Sequence, residues 1–151
     1  MNDPLPFARS FRDLIVYQRA LELQRRVFET TRGFPREEAF ALTDQIRRAS
    51  RSIGARLAEA WAKRDYERHF LSKLTDADGE QMETQHWLTT SVDSGYLTPE
   101  EGRVLYALCL EIGRMLSTMK RRASEFCPNP HTAVVRETPA DFFAPAPEPF
   151  C

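Results

Sequence analysis

The segment QIRRASRSIGARLAEAW, Gln45 to Trp61, decides the fold. Ile46, Ala49, Ile53, Leu57 and Ala60 recur at intervals of three and four, and Leu42 carries the pattern one turn further back. That spacing predicts an α-helix with one narrow apolar seam, since a strand would need strict alternation. The same segment holds Arg47, Arg48, Arg51 and Arg56. At about 100° per residue, Arg47, Arg48 and Arg51 fall well away from the seam. Arg51, Ala55, Ala58 and Ala62 line the face opposite the core. A solvent-facing helix back would more usually carry Lys, Glu and Gln.

Three further helical patterns flank this one. The first helix is expected over about Ser10–Arg32, capped by Ser10 with Asp13 three residues on, and with Phe11, Leu14, Tyr17, Ala20, Leu21 and Phe28 along its stripe. Gly33 and Pro35 end it. The arginine helix is expected over Arg36–Lys63. The third helix, about Asp65–Ser94, places Phe70, Leu74, Ala77, Gln81, Gln85 and Leu88 on its stripe. Gly79 within it costs about 1 kcal/mol relative to Ala, and close helix contact would explain it. Thr98-Pro-Glu-Glu101 is the sharpest start signal, a capping box with Pro at the first helical position. The fourth helix then carries Leu105, Leu108, Ile112, Met115, Met119 and Phe126. Four long helices with short links imply an all-α, antiparallel up-down-up-down four-helix bundle. The expected division is an N-terminal extension over 1–9, the bundle over 10–126 and a Pro-rich tail over 127–151. Six of the ten prolines lie in residues 128–151, so the tail is expected to be disordered.

With 42% hydrophobic and 28% charged residues, 151 residues suit one soluble domain. No apolar run approaches the roughly 20 residues that span a bilayer. The start shows no basic-then-apolar leader, so the expected compartment is the cytoplasm, with no membrane partner. Cys109 reads as a small core residue, and Cys127 and Cys151 as free thiols. Phe142, Phe143 and Phe150 in the tail read as a passive extension more than as a docking motif. Net charge is −1 but uneven. Residues 1–73 hold 15 Lys+Arg and 10 Asp+Glu, whereas residues 74–151 hold 6 and 12. An acidic second half works against general nucleic-acid binding.

The catalytic inventory is thin. His69, His86 and His131 form no local set with a nucleophile and a carboxylate, and no glycine loop cradles phosphate. No catalytic residue, cofactor or metal is therefore assigned, and the chain is read as not an enzyme. Glu83-x-x-His86 has the spacing used by di-iron bundles, but the second copy of the motif is missing. Asp76, Asp78, Glu80 and Glu83 read as a solvated acidic face, or as a complement for arginines of a neighbour. Gln81 and Gln85 on the core stripe call for hydrogen-bond partners.

The candidate site is thus the outer face of the arginine helix. Arg47, Arg48, Arg51, Ala55, Ala58, Glu59 and Ala62 are assigned to an oligomer interface or to phosphate contact. Alanines permit close approach of another helix, and Tyr106, Leu110, Gly113 and Ser117 offer a second such face on the fourth helix. Arginines at an interface would pair with Glu59 or with the acidic third helix of a neighbour. Pointing outward, they would meet phosphate.

Three blocks carry a family resemblance. Phe11-x-x-Leu14-x-Val16-Tyr17-Gln18 comes first, the Phe34-Pro35 turn second, and Gln45-Ile46-Arg47-Arg48-Ala49 with Ser52-Ile53 and Glu59 third. Over about residues 11–126 the chain resembles the four-helix-bundle proteins encoded in intervening sequences of 23S ribosomal RNA genes. It departs where that family has Asn, here Arg56, and Gly, here Ala60. The resemblance implies a left-handed bundle that assembles as a ring-like homo-oligomer, typically a pentamer, with no enzymatic activity. A related group accompanies diversity-generating retroelements and binds nucleic acid and a reverse transcriptase. By that analogy RNA is a possible partner.

Overall fold

A computed structural model describes residues 8–127. The expectations placed on the first seven residues and on residues 128–151, including Phe142, Phe143, Phe150 and Cys151, lie outside the described residues. Four main helices make the body: α1 (Ile15–Thr31), α2 (Leu42–Ala62), α3 (Glu67–Asp93) and α4 (Pro99–Arg121). A single-turn α5 (Ala123–Phe126) follows, and no strand occurs among the described residues. α2 packs on α1 and α3, and α4 packs on α1 and α3, so α2 and α4 stand diagonally across the core.

The seam of α2 is buried as its spacing predicts. Ile46, Ala49, Ile53, Leu57 and Ala60 are at most 2% exposed. Phe70, Leu74, Ala77, Gln81 and Leu88 of α3 are buried with it, as are Leu105, Leu108, Ile112 and Met119 of α4. Gln85 is only half-buried. In α4 the deeper position goes to Leu116, and Met115 packs at the core edge. Cys109 is fully buried, and burial pushes its thiol up to about 12. Three hydroxyls enter the core by bonding back to their own helix, Ser50 to the Arg47 carbonyl, Thr84 to that of Glu80 and Ser91 to that of Trp87.

Two helix starts and one helix end differ from their sequence signals. Ser10 and Asp13 do form a capping box, but on a single 3-10 turn, Phe11–Asp13. Leu14 is then extended at φ −67°, ψ 128°, and α1 begins at Ile15. The break lets Leu14 enter the core while Phe11 packs edge-on against Tyr17 at 4.9 Å. The buried stripe of α1 is therefore Val16, Ala20, Leu23, Val27 and Thr31, with Leu21 at its margin and Phe28 exposed. Arg36–Glu38 is a separate 3-10 turn, and α2 starts at Leu42. Ala41 has no side chain to cap α2, and Glu38 does so instead, accepting from the Leu42 amide at 3.1 Å. Its other oxygen accepts from the Tyr96 hydroxyl at 3.1 Å, tying the start of α2 to the end of α3. The Thr98 capping box and Pro99 start α4 as expected. The last helix is not continuous to Phe126, because Arg122 interrupts it at φ −106°, ψ 25°.

Glycine roles also differ. Gly33 does not take a left-handed conformation; the one glycine that does is Gly95, at φ +77° after α3. Gly79 is exposed with no atom within 4 Å of a built Cβ, so it marks no helix contact. The close approaches are at Gly102, where a Cβ would lie 2.6 Å from Val92 Cγ2, and at Gly113, 3.0 Å from Gln81 Nε2. Gly79→Ala should therefore stabilise the protein by up to about 1 kcal/mol in chemical denaturation. Gly102→Ala should destabilise it, because a Cβ 2.6 Å from Val92 Cγ2 forces that stiff β-branched side chain or the backbone to shift.

Candidate interface on the second helix

With the α2 seam turned inward, its remaining positions divide into three. Arg47, Arg51 and Gly54 look toward α1, Arg56 and Glu59 toward α3, and Ala55 and Ala62 outward. Arg48, Arg51, Ala55 and Ala62 are exposed, while Arg47, Ala58 and Glu59 are half-buried. The seven site residues thus lie on one helix, but their chemistry falls on two sides of it.

On the α1 side the feature is Phe28, a residue the periodicity assigned to the core. Its ring is 38% exposed and lies under two guanidiniums, Arg47 at 4.7 Å and Arg51 at 5.7 Å. Arg47 also donates from Nε to the Thr31 hydroxyl at 2.8 Å. Thr31 in turn donates to the Phe28 carbonyl. Cation–π contacts at exposed sites are worth about 0.5–1 kcal/mol each, enough to orient both side chains. Arg25, one turn before Phe28, is exposed. No carboxylate lies within salt-bridge distance of Arg25, Arg47 or Arg51 among the described residues. Arg48 reaches Asp44 only at 3.7 Å, and Arg32 pairs with Glu29 at 3.4 Å.

On the α3 side the carboxylates outnumber the cations. Glu59 accepts from Lys73 at 2.8 Å and from Arg56 at 3.3 Å. Lys73 also reaches Asp76, and Arg56 reaches Glu80 at 3.9 Å. Glu83 accepts from the Trp87 indole at 3.1 Å and meets no cation. The arginine that joins Glu59 and the acidic helix is therefore Arg56, within the same chain. Arg47, Arg48 and Arg51 take no part. Arg56 stands where the resemblance gives Asn, and its Nε is buried without a partner. The hydrogen bond and charge of Lys73 hold the Glu59 carboxyl below the ordinary carboxylate range. Glu80 is moved the other way, chiefly by burial and then by Glu83.

The predicted amides do form a chain. Gln85 donates to Gln81 at 2.7 Å and Gln81 donates to Asp78 at 2.9 Å; Lys120 of α4 completes it at 3.4 Å. Glu83 and His86 do not converge on a metal geometry: His86 packs against Trp87, and no group of three or more His, Cys, Asp or Glu is placed to hold a metal among the described residues. On the diagonal helix, Tyr106, Leu110 and Ser117 are exposed, together with Val104, whereas Gly113 of the expected second face turns toward Gln81 of α3. No helix among the described residues is long and apolar enough to cross a membrane.

The sequence profile of the 23S rRNA-intervening sequence proteins matches residues 12–118, a span that includes α1, α2, α3 and most of α4. The chain belongs to the 23S rRNA-intervening sequence protein family. Among solved structures, a protein of unknown function from the S23 ribosomal protein family of Bacteroides thetaiotaomicron is similar, at 28% identity and a TM-score of 0.65. The match covers 71% of this chain and 96% of that one. Comparison with curated proteins finds no match. The family's profile includes the whole of α2, so the arginine face is part of the family domain.

Two sites of opposite sign give a test by titration. In side-chain NMR, Glu59 should titrate below and Glu80 above the ordinary glutamate range. The folded pKa of Glu59 is lowered, so its stabilising contribution is present above the unfolded pKa and is lost as pH falls through the folded one. Glu80 has a raised folded pKa, so its ionisation opposes folding once pH exceeds the unfolded value. At neutral pH Glu59→Gln should lower the melting temperature more than Glu80→Gln does.

Proposed function

We propose that this chain is a non-catalytic, homo-oligomeric helical-bundle protein, antiparallel in topology and pentameric as a ring, that works in the cytoplasm in association with ribosomal RNA. The observation that carries the reading is the outer face of α2. Ala55 and Ala62 are exposed beside half-buried Ala58, with Arg51 at the end of the row. Such a face contributes little to solubility and permits close approach of another helix. The diagonal α4 presents a second unpartnered face through Val104, Tyr106 and Leu110, each at least 38% exposed. Two unlike unpartnered faces on one small bundle suit heterologous contacts, which close into rings when the rotation permits. The pentameric count and the RNA association rest on the family.

A second reading makes the chain a nucleic-acid-binding accessory to a reverse transcriptase or another RNA enzyme. The absence of a carboxylate partner at Arg25, Arg47 and Arg51 among the described residues favours it, because such cations are available to phosphate.

Sedimentation velocity and light scattering of the purified chain test the first reading. A discrete assembly with a mass near five chains is expected, and a strict monomer at high micromolar concentration would overturn it. For the second reading, binding of a single-stranded RNA oligonucleotide is titrated against salt. Affinity that vanishes at moderate salt for every sequence alike would mark simple charge attraction.

A further inference from the structure

α2 forms a corner with shoulders of opposite charge on its two sides. On the α1 shoulder, Arg47 and Arg51 lie over the exposed Phe28 with no carboxylate within salt-bridge distance among the described residues, and Arg32, next in sequence to Thr31, pairs with Glu29. On the α3 shoulder, Glu59, Asp76, Glu80 and Glu83 share Arg56 and Lys73. The ridge between the shoulders is the row of Ala55, Ala58 and Ala62. Glu80 already feels the surplus, since its carboxyl is raised by burial and by the charges of Glu83 and Asp76 despite Arg56 nearby.

We propose that the basic α1–α2 shoulder of one copy docks on the acidic α2–α3 shoulder of a second copy, with the helix axes of the two parallel. This rests on the homo-oligomer reading above but places both contact surfaces along α2, with the exposed α4 residues outside the contact. The symmetry follows from the charges. A two-fold axis across the helices would bring α1 of one copy beside α1 of the next, setting arginines against arginines. Rotation about an axis parallel to the helices brings α1 of one copy beside α3 of the next. Arg47 and Arg51 then meet Asp76 and Glu83, and the alanine ridge lets the backbones approach. Like-charge contact across an interface is penalised strongly, so the first arrangement is selected against. The second arrangement repeats around a ring without leaving either shoulder uncovered.

The test is charge reversal in the full chain, read by sedimentation with circular dichroism as a check on folding. Arg47→Glu with Arg51→Glu reverses the basic shoulder, and Asp76→Lys with Glu83→Lys reverses the acidic one. Each pair should weaken assembly at least about tenfold while helicity is retained. All four changes together exchange the signs of the shoulders and should restore assembly. The wild-type assembly should also weaken with rising salt, a readout that needs no variant to fold. A wild-type oligomer indifferent to salt and to both reversals would overturn the docking but leave the oligomer standing. A wild-type monomer would overturn both. If Arg47→Glu with Arg51→Glu leaves assembly intact but lowers affinity for a single-stranded RNA oligonucleotide, the shoulder is a phosphate site and the docking is wrong.

Discussion

The burial of one narrow seam on α2 sets the rest of the structure. Ile46, Ala49, Ile53, Leu57 and Ala60 are closed off from water almost completely. Burying each of the larger three contributes about 1.5–3 kcal/mol, so no rotation of the helix about its axis competes. The two alanines keep the seam shallow, and α2 makes its most extensive contact with α3. Once the seam is fixed, every other position on the helix has its direction. Arg56 and Glu59 must meet α3, Arg47 must meet α1, and Ala55 and Ala62 must face out.

Charge is then distributed by that rotation more than by local pairing. Many ion pairs on this surface are half-exposed, and such pairs contribute little individually. Their arrangement matters more than their sum. Arg56 crosses to α3 and is absorbed there, which separates it from the other arginines of its segment. Arg47 and Arg51 find an aromatic ring instead of a carboxylate. A stretch that is uniformly basic in sequence becomes, in three dimensions, the boundary between a basic and an acidic surface.

Helices with strong period and clear caps could be read directly. The α2 seam, the Thr98 capping box and the buried Gln81 all follow from spacing and side-chain chemistry. Most of the misreadings share one cause, a contact made outside a helix's own periodicity. Ser10 signals a helix start, but Leu14 extends because Phe11 packs on Tyr17. Phe28 has the hydrophobicity of a core residue, yet Val27 takes the core and Phe28 receives the arginines of α2. Glu38, expected inside the second helix, sits in a separate 3-10 turn, from which it caps α2 and holds Tyr96. Gly102 and Gly113, not Gly79, are where helices come close, and only the packing of α3 against α4 distinguishes them.

The sequence by itself determined that the chain is helical, which residues of α2 are buried, where α4 begins and which family it joins. These rest on periodicity, capping and motif spacing, all properties of neighbouring residues. The tertiary structure alone decided which arginines are spent inside the chain and which remain. A guanidinium's partner is chosen by the neighbouring helix, and Arg47, Arg51 and Arg56 sit on one helix but face two different ones. For that reason the charge on each side of α2 could be counted only after the bundle had closed.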